Sequence, residues 1–241
     1  MKLKNCFGVF IVLSLLFGLI GGSPMCDEVK GDKTEEKYNY DLSNPVLKAI
    51  KERRSIRKFQ DKDVDSSKVE QILKAATWAP SANNDQPWKF VVVRNKETQK
   101  KIVEALKLRM KDYYGSHGIP LDRMVAYWSS IFAAPVHIFV FCDTTGIELE
   151  KEWEETQMLW NIQGVSAACQ NILLAAHALG LGSVWTGLTL TVEDEIKTIL
   201  QMPKEVRLMT VIAIGYPVSE PSPPARKPLS DVTFFETWKE K

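Results

Sequence analysis

The chain of 241 residues predicts an α+β domain. Two observations carry that expectation. Short apolar runs, "FVVV" (90–93), "VHIFVF" (136–141) and "LMTVIAI" (208–214), read as buried strands. Helical patterns of unequal number and length separate them, without regular β-α-β alternation, which favours helices layered on a sheet over a doubly wound parallel fold. The composition, 45% hydrophobic and 25% charged, is that of an ordinary globular chain. A formal net charge of +1 gives no global field toward nucleic acid or a membrane surface.

Along the chain, Lys2 and Lys4 precede an uncharged, mostly apolar run from Phe7 to Ile20, followed by Gly21, Gly22 and Ser23. A charged n-region, a short h-region and small residues beyond predict a transport signal or N-terminal anchor over 1–25. The run falls short of the roughly 17–25 residues that span a bilayer comfortably. An exported or cell-envelope location is therefore expected, with any membrane association confined to the N-terminus. Cys26 raises lipidation, but Met25 is large where that signal takes a small residue. Residues 26–41 are charged and nearly free of aliphatics, a flexible linker. The folded domain is expected over 42–241.

Asn44-Pro45 predicts a helix start, with proline at its first position, running to about Arg53. Ser67-x-x-Glu70 is a capping box ahead of Val69, Ile72, Leu73 and Ala76 at helical spacing, and Pro80 ends that helix. Helices are expected over 97–113 and 121–132. A long helix over 151–179 is apolar on opposite sides, with Met158, Ile162, Val165, Cys169, Ile172, Ala176 and Leu179 on one and Ala167, Leu174 and Ala178 on the other. A helix apolar all round must be covered all round, and burial between two subunits is one way to do it. Gly180 to Gly182 stop this helix; Val184–Leu188 begins a strand, Thr191–Leu200 is a short helix, and 217–230 is proline-rich and extended. The four cysteines form no C-x-x-C pair and the three histidines are scattered, so no metal site is expected.

Four stretches bear chemistry. "RRSIRKFQ" (53–60) concentrates Arg53, Arg54, Ser55 and Arg57. In extended chain Arg53, Ser55 and Arg57 share a side, and two guanidinium forks around a hydroxyl suit a phosphate. Cations at a helix C-terminus are the simpler account. "APSANNDQPWKF" (79–90) joins a helix to a strand with amides and hydroxyls that fit a heterocycle edge, or merely an elaborate turn. In "GLGSVWTGL" (180–188), Gly182 and Gly187 allow close backbone approach to a flat ligand, and Trp185 and Thr186 offer packing and a donor. "PARKPL" (224–229) places Arg226 on a tail after the last strand.

The order and spacing of these stretches resemble the nitroreductase family of flavin enzymes from about Pro45 to Val232. The resemblance rests on "RRSIRKF", "APSANNDQPWKFVVV", "NILLAAHALGLGSVWTG" and "IAIGYP...ARKPL". It implies a nitroreductase-like fold, a central mostly antiparallel sheet flanked by helices in an intertwined homodimer, with FMN at the subunit interface. By resemblance, Arg53, Arg54, Ser55 and Arg57 hold the FMN phosphate and ribityl chain, and Arg226 reaches the phosphate from the C-terminal segment. Pro80, Ser81, Ala82 and Asn84 come from the other subunit, and Trp185, Thr186 and Gly187 pass beside the isoalloxazine ring. The implied reaction takes hydride from NAD(P)H or another donor and reduces a nitroaromatic, quinone or similar flat acceptor. The matched stretches offer no candidate side-chain acid or base for the reaction, so no catalytic residue is assigned.

Some family members carry a glutamate where this chain has Trp185-Thr186-Gly187. "RRSIR", the Ser81-Ala82 turn and "RKPL" are also similar to the iodotyrosine deiodinase branch, whose lid clamps an amino-acid substrate with Glu, Tyr and Lys. Residues 101–125 lack that lid pattern: Leu108, not tyrosine, follows four residues after Glu104. A deiodinase-like reductive dehalogenase and a flavin carrier or sensor without turnover are the alternatives. Nothing singles out the branch that fragments flavin for the lower ligand of vitamin B12.

Overall fold

The computed structural model describes residues 41–116, 121–145, 147 and 152–238. The expected signal over 1–25 and the linker up to residue 40 lie outside the described residues. The chain divides into two compact units, residues 49–221 and the combined termini.

The elements in chain order are α1 (Pro45–Glu52), α2 (Ser66–Ala76), a 3-10 turn (Ala82–Asn84), β1 (Trp88–Val93), α3 (Lys96–Ser116), α4 (Leu121–Phe132), β2 (Val136–Cys142), α5 (Glu154–Ala178), β3 (Gly182–Thr186), a 3-10 turn (Leu188–Val192), α6 (Glu193–Leu200), β4 (Arg207–Gly215) and α7 (Leu229–Val232). The sheet has the order β1-β2-β4-β3, and every pair is antiparallel. The α+β expectation is met.

β2 explains how the helices sort. Alternate side chains of a strand face opposite ways, and all seven residues of this one are buried. Val136, Ile138, Val140 and Cys142 join Ile212 and Ile214 of β4 in one core with Val69 and Ile72 of α2 and Val165, Cys169 and Ile172 of α5. His137 faces the other layer. Its Nδ1 lies 3.1 Å from Gln99 Nε2 of α3, its Nε2 lies 3.3 Å from the Ile131 carbonyl, and its ring stacks on Phe132 of α4 at 4.7 Å. Burial holds the imidazole neutral, with its pKa lowered to about 3. A neutral ring satisfies both contacts if Nε2–H donates to the carbonyl and Nδ1 accepts from the amide.

Several elements depart from expectation. β1 is an edge strand, and its residues from Lys89 to Val92 are half-buried or exposed, so "FVVV" is not a buried strand. The capping box gives way to Asp65, whose carboxylate accepts from Ser67 N–H at 2.9 Å and leaves Ser67 inside α2. Asp65 precedes the first helical residue, and its ionised oxygen is the stronger acceptor there. Asn44 does cap α1, through Oδ1 to the N–H groups of Val46 and Leu47. β3 starts at Gly182, and the segment expected to open as helix at Thr191 is first a 3-10 turn. The tail expected to be extended contains the four-residue α7.

The long helix, α5, packs on α2 and on β2, β3 and β4. Its buried residues include Gly164, Val165, Ala168, Cys169, Ile172 and Ala176. Leu159 and Trp160, at 52% and 41% exposure, lie on turns that the chain's own core does not cover.

Candidate functional site

α1 ends at Glu52, where Arg54 Nη1 donates to the carbonyls of Lys51 (2.6 Å) and Arg53 (3.0 Å). These carbonyls lie at the helix end, where acceptors lack intrahelical donors. The chain then extends. Ser55 makes a parallel bridge to Ser183 and Phe59 an antiparallel one to Pro217. Ile56 N–H donates to Ser183 O (2.9 Å), Gln60 N–H to Tyr216 O (2.8 Å) and Val218 N–H to Lys58 O (3.2 Å). The basic segment is thereby laced to the β3 edge and to the chain leaving β4.

Ile56, 5% exposed, anchors this segment. A Cβ at Gly182 would lie 2.6–2.8 Å from three Ile56 side-chain atoms. Gly182 therefore makes room for the arginine segment; the expected close approach of a ligand is not what requires it. Arg53 and Arg54 line one small cavity with Ile56, Gly182 and Ser183, and two acidic residues, Glu52 and Glu220, also border it. The Ser183 hydroxyl is buried there without a hydrogen-bond partner among the described residues. Arg57 turns to solvent, donating from Nε to Tyr127 Oη of α4 (3.0 Å) and from Nη1 to Ser55 O (3.2 Å).

The 80–86 turn is held by α5. Pro80 is exposed, Ser81 and Ala82 are half-buried, and Asn84 is exposed. A Cβ at Gly164 would stand 3.1 Å from Ser81 Cβ and 3.4 Å from Pro80 O, so this glycine lets the turn sit on the helix. Asn83, Asn84 and Gln86 have φ of 51°, 59° and 49°. Asparagine tolerates that region; glutamine does so less readily. Gln86 N–H donates to Ser81 Oγ at 3.0 Å, which ties the left-handed residue back to the start of the turn.

At the far end of β3, Trp185 is 39% exposed and Thr186 is buried. Thr186 Oγ1 donates to Val211 O (2.8 Å), so its hydroxyl proton is already committed within the sheet. Beyond it, a Cβ added at Gly187 meets no atom of the described residues within 4 Å. Arg226 lies exposed in the unit of the termini. The structure thus brings Arg53, Arg54 and Ser55 to one edge of β3, carries Trp185, Thr186 and Gly187 on the same strand and its exit, and joins the 80–84 turn to this framework through α5, which packs on β3.

Sequence reasoning missed Ser183, Gly164 and Tyr127. Ser183 sat inside a quoted stretch, and its hydroxyl between a glycine and the apolar Val184 and Trp185 was the signal. Gly164 stands out as the one glycine within α5. Tyr127 left no local signal, being 70 residues from Arg57. The buried thiols take no part: burial and the Asp143 charge raise Cys142 to about 11, and burial raises Cys169 to about 12. Among the described residues no cluster of His, Cys, Asp and Glu could hold a metal.

The nitroreductase family model matches residues 50–216. The chain belongs to the nitroreductase family. It is 40% identical over 179 residues to a Methanothermobacter thermautotrophicus protein named "Putative NADH dehydrogenase/NAD(P)H nitroreductase", covering 73% of this chain and 79% of that one. It is 26% identical to an iodotyrosine deiodinase of Nematostella vectensis, over 88% of this chain and 81% of the relative. Among solved structures it is similar to "a putative nitroreductase in complex with fmn" from Desulfovibrio desulfuricans, with TM-score 0.61, 32% identity, and coverage of 81% of this chain and 99% of that one. The nitroreductase fold and the deiodinase likeness expected from the motifs are both present in these relatives.

Proposed function

We propose that this nitroreductase-family protein binds FMN and works as an oxidoreductase, taking hydride from a reduced nicotinamide or another donor and reducing a flat acceptor such as a nitroaromatic or quinone. The observation that carries this reading is the arginine segment laced to β3 beside the buried Ser183 hydroxyl, which is unpartnered among the described residues. That donor set suits a phosphate: guanidinium forks, a hydroxyl and the Ser55 side chain at one sheet edge. The open face at Gly187 and the half-exposed Trp185 suit a flat ring. The residues present fit the group.

When bound, FMN would supply the two-electron chemistry between donor and acceptor. The chain's own contribution is placement. Arg53 and Ser55 would hold the phosphate end, with Arg57 alongside, while Pro80, Ser81, Ala82 and Asn84 would border the ring from a second subunit. Trp185 and Gly187 would flank it, and any donor from Thr186 would be its backbone N–H. Arg54, tied to the α1 carbonyls, would act mainly by fixing the segment's start. Purified protein should be yellow and release FMN on denaturation, and NADH or NADPH oxidation should accelerate with a nitroaromatic or quinone. A protein that takes up no FMN sinks the reading; flavin uptake without turnover would leave a carrier or sensor.

Arg53→Ala should raise the FMN dissociation constant about 10- to 150-fold, the effect of losing a charge-assisted contact of roughly 1.5–3 kcal/mol. Arg54→Ala should change affinity less and thermal stability more. Flavin-fluorescence titration of the apo-proteins reads the first effect and thermal melts the second. The same titration of Arg226→Ala tests the part that the resemblance gives to that residue.

We also infer a homodimer built on α5, whose large apolar residues Leu159 and Trp160 are exposed while its Val165, Cys169 and Ile172 pack in the core. Light scattering of a chain beginning at Leu42 should give about twice the monomer mass; a monomer with full FMN affinity would refute it. Export on the 1–25 signal belongs to the same proposal, and fractionation of cells expressing the full chain tests it. The deiodinase likeness over 88% of the chain favours one further acceptor, a halogenated tyrosine, for the same assay. Against it, Glu104 pairs with Lys107 at 2.7 Å and Leu108 is 70% exposed.

A further inference from the structure

We infer that Tyr127 is a positioning residue for the cofactor: its hydroxyl holds the Arg57 guanidinium in the orientation that meets FMN. The inference rests on the FMN reading above and concerns a residue that lies outside every matched motif.

An exposed arginine has many rotamers, and fixing it on a ligand costs about 2 kcal/mol of side-chain entropy. Arg57 is exposed yet already restrained at two points. Nε donates to Tyr127 Oη at 3.0 Å, and Nη1 donates to the Ser55 carbonyl at 3.2 Å. Neither tie uses the N–H groups of Nη2. The Ser55 tie is local and moves with the segment. The Tyr127 tie comes from a different element, so it fixes the guanidinium relative to the rest of the larger unit.

Tyr127 is itself well held. The next residue, Trp128, is 3% exposed and anchors α4 together with Ile131 and Phe132. The Tyr127 and Trp128 rings meet edge-on, with centroids 5.2 Å apart. Ser130 Oγ donates to the Tyr127 carbonyl at 2.7 Å. The phenol is half-buried at the margin of the helix's packed face, so its oxygen is presented by a rigid support. A tyrosine needed only for packing would have no reason to spend its oxygen on a cation at the surface. Holding Arg57 before the ligand arrives lowers the ordering cost of binding, which is how preorganisation raises affinity.

The test is a double-mutant cycle on FMN affinity, read by fluorescence titration of the apo-proteins. Tyr127→Phe keeps the ring and removes only the hydroxyl. It should raise the dissociation constant about 3- to 10-fold in the wild-type background, the value of one hydrogen bond, and leave Arg57→Ala unchanged. An equal loss in both backgrounds would mean a structural role and overturn the inference. No loss, or tighter binding because Tyr127 competes for Arg57, would overturn it as well. Failure of the FMN reading looks different: the wild-type protein itself would not take up FMN, and the inference would fall with it.

Discussion

Gly182→Ala is expected to raise the FMN dissociation constant about 5- to 150-fold and to lower the melting temperature. The added Cβ would stand 2.6–2.8 Å from Cγ1, Cβ and Cγ2 of Ile56. These atoms lie close to the backbone of a β-branched residue, so no distal rotamer change clears them. Overpacking of this kind costs roughly 1–3 kcal/mol, which sets the range. The strain falls on the bond from Ile56 N–H to Ser183 O, and so on the register of Arg53, Ser55 and Arg57 against β3. Adding Ile56→Ala removes two of the three clashing atoms and should recover part of the affinity. Apo-protein titrations of the single and double variants decide the matter. Unchanged affinity in Gly182→Ala would show that the arginine segment is not held to β3 as described.

Acid should destabilise the domain well before the carboxylates titrate, and His137 is the cause. Its pKa is lowered by burial from 6.5 to about 3. Between those values the unfolded chain carries a proton on this residue that the folded chain does not. Stability therefore rises with pH across that window and falls as the solution is acidified from 6.5 toward 3. Each unit contributes about 1.4 kcal/mol, so several kcal/mol are at stake over the full window. Urea midpoints at pH 7.5, 5.5 and 4.5 should fall in that order. Replacing the pair together, Gln99→Leu with His137→Phe, removes the titrating ring without stranding its amide partner. The Ile131 carbonyl keeps the Ala134 N–H at 3.2 Å. That double variant should show a flatter profile between pH 7.5 and 4.5. Parallel profiles in the two proteins would acquit His137.

The fold was legible where local pattern and final burial agree. Val136–Cys142 and residues 208–214 are mostly apolar where both faces of their strands are covered, and their apolar runs are read directly from the sequence. "FVVV" misled because apolar content does not distinguish a central strand from an edge strand; only the pairing order does. The capping box misled because two signals overlapped, and Asp65 stands one position before the helix begins. Within the candidate site, "RRSIR" was visible as charge, and its docking on β3 was not. That contact joins residues distant in sequence, and its enabling residue, Gly182, reads equally well as a helix stop or a ligand approach. Tyr127 illustrates the limit: a single tyrosine in an amphipathic helix acquires meaning only when the fold carries Arg57 to it.

The two buried thiols make the domain a reporter on itself. Cys142 lies in β2, one of the two inner strands, and Cys169 in the helix packed across it, both with pKa values raised by burial. The reactive form is the thiolate, so neither group should meet a soluble alkylating reagent while the core is closed. Labelling of a chain beginning at Leu42, which lacks Cys6 and Cys26, then proceeds only through openings that expose the sheet core. The slow rate of modification becomes a clock for global unfolding, readable by mass at neutral pH without denaturant. Cofactor that binds only the folded chain should slow that clock in proportion to its occupancy, giving a measure of flavin affinity that needs no electron donor, no acceptor and no turnover.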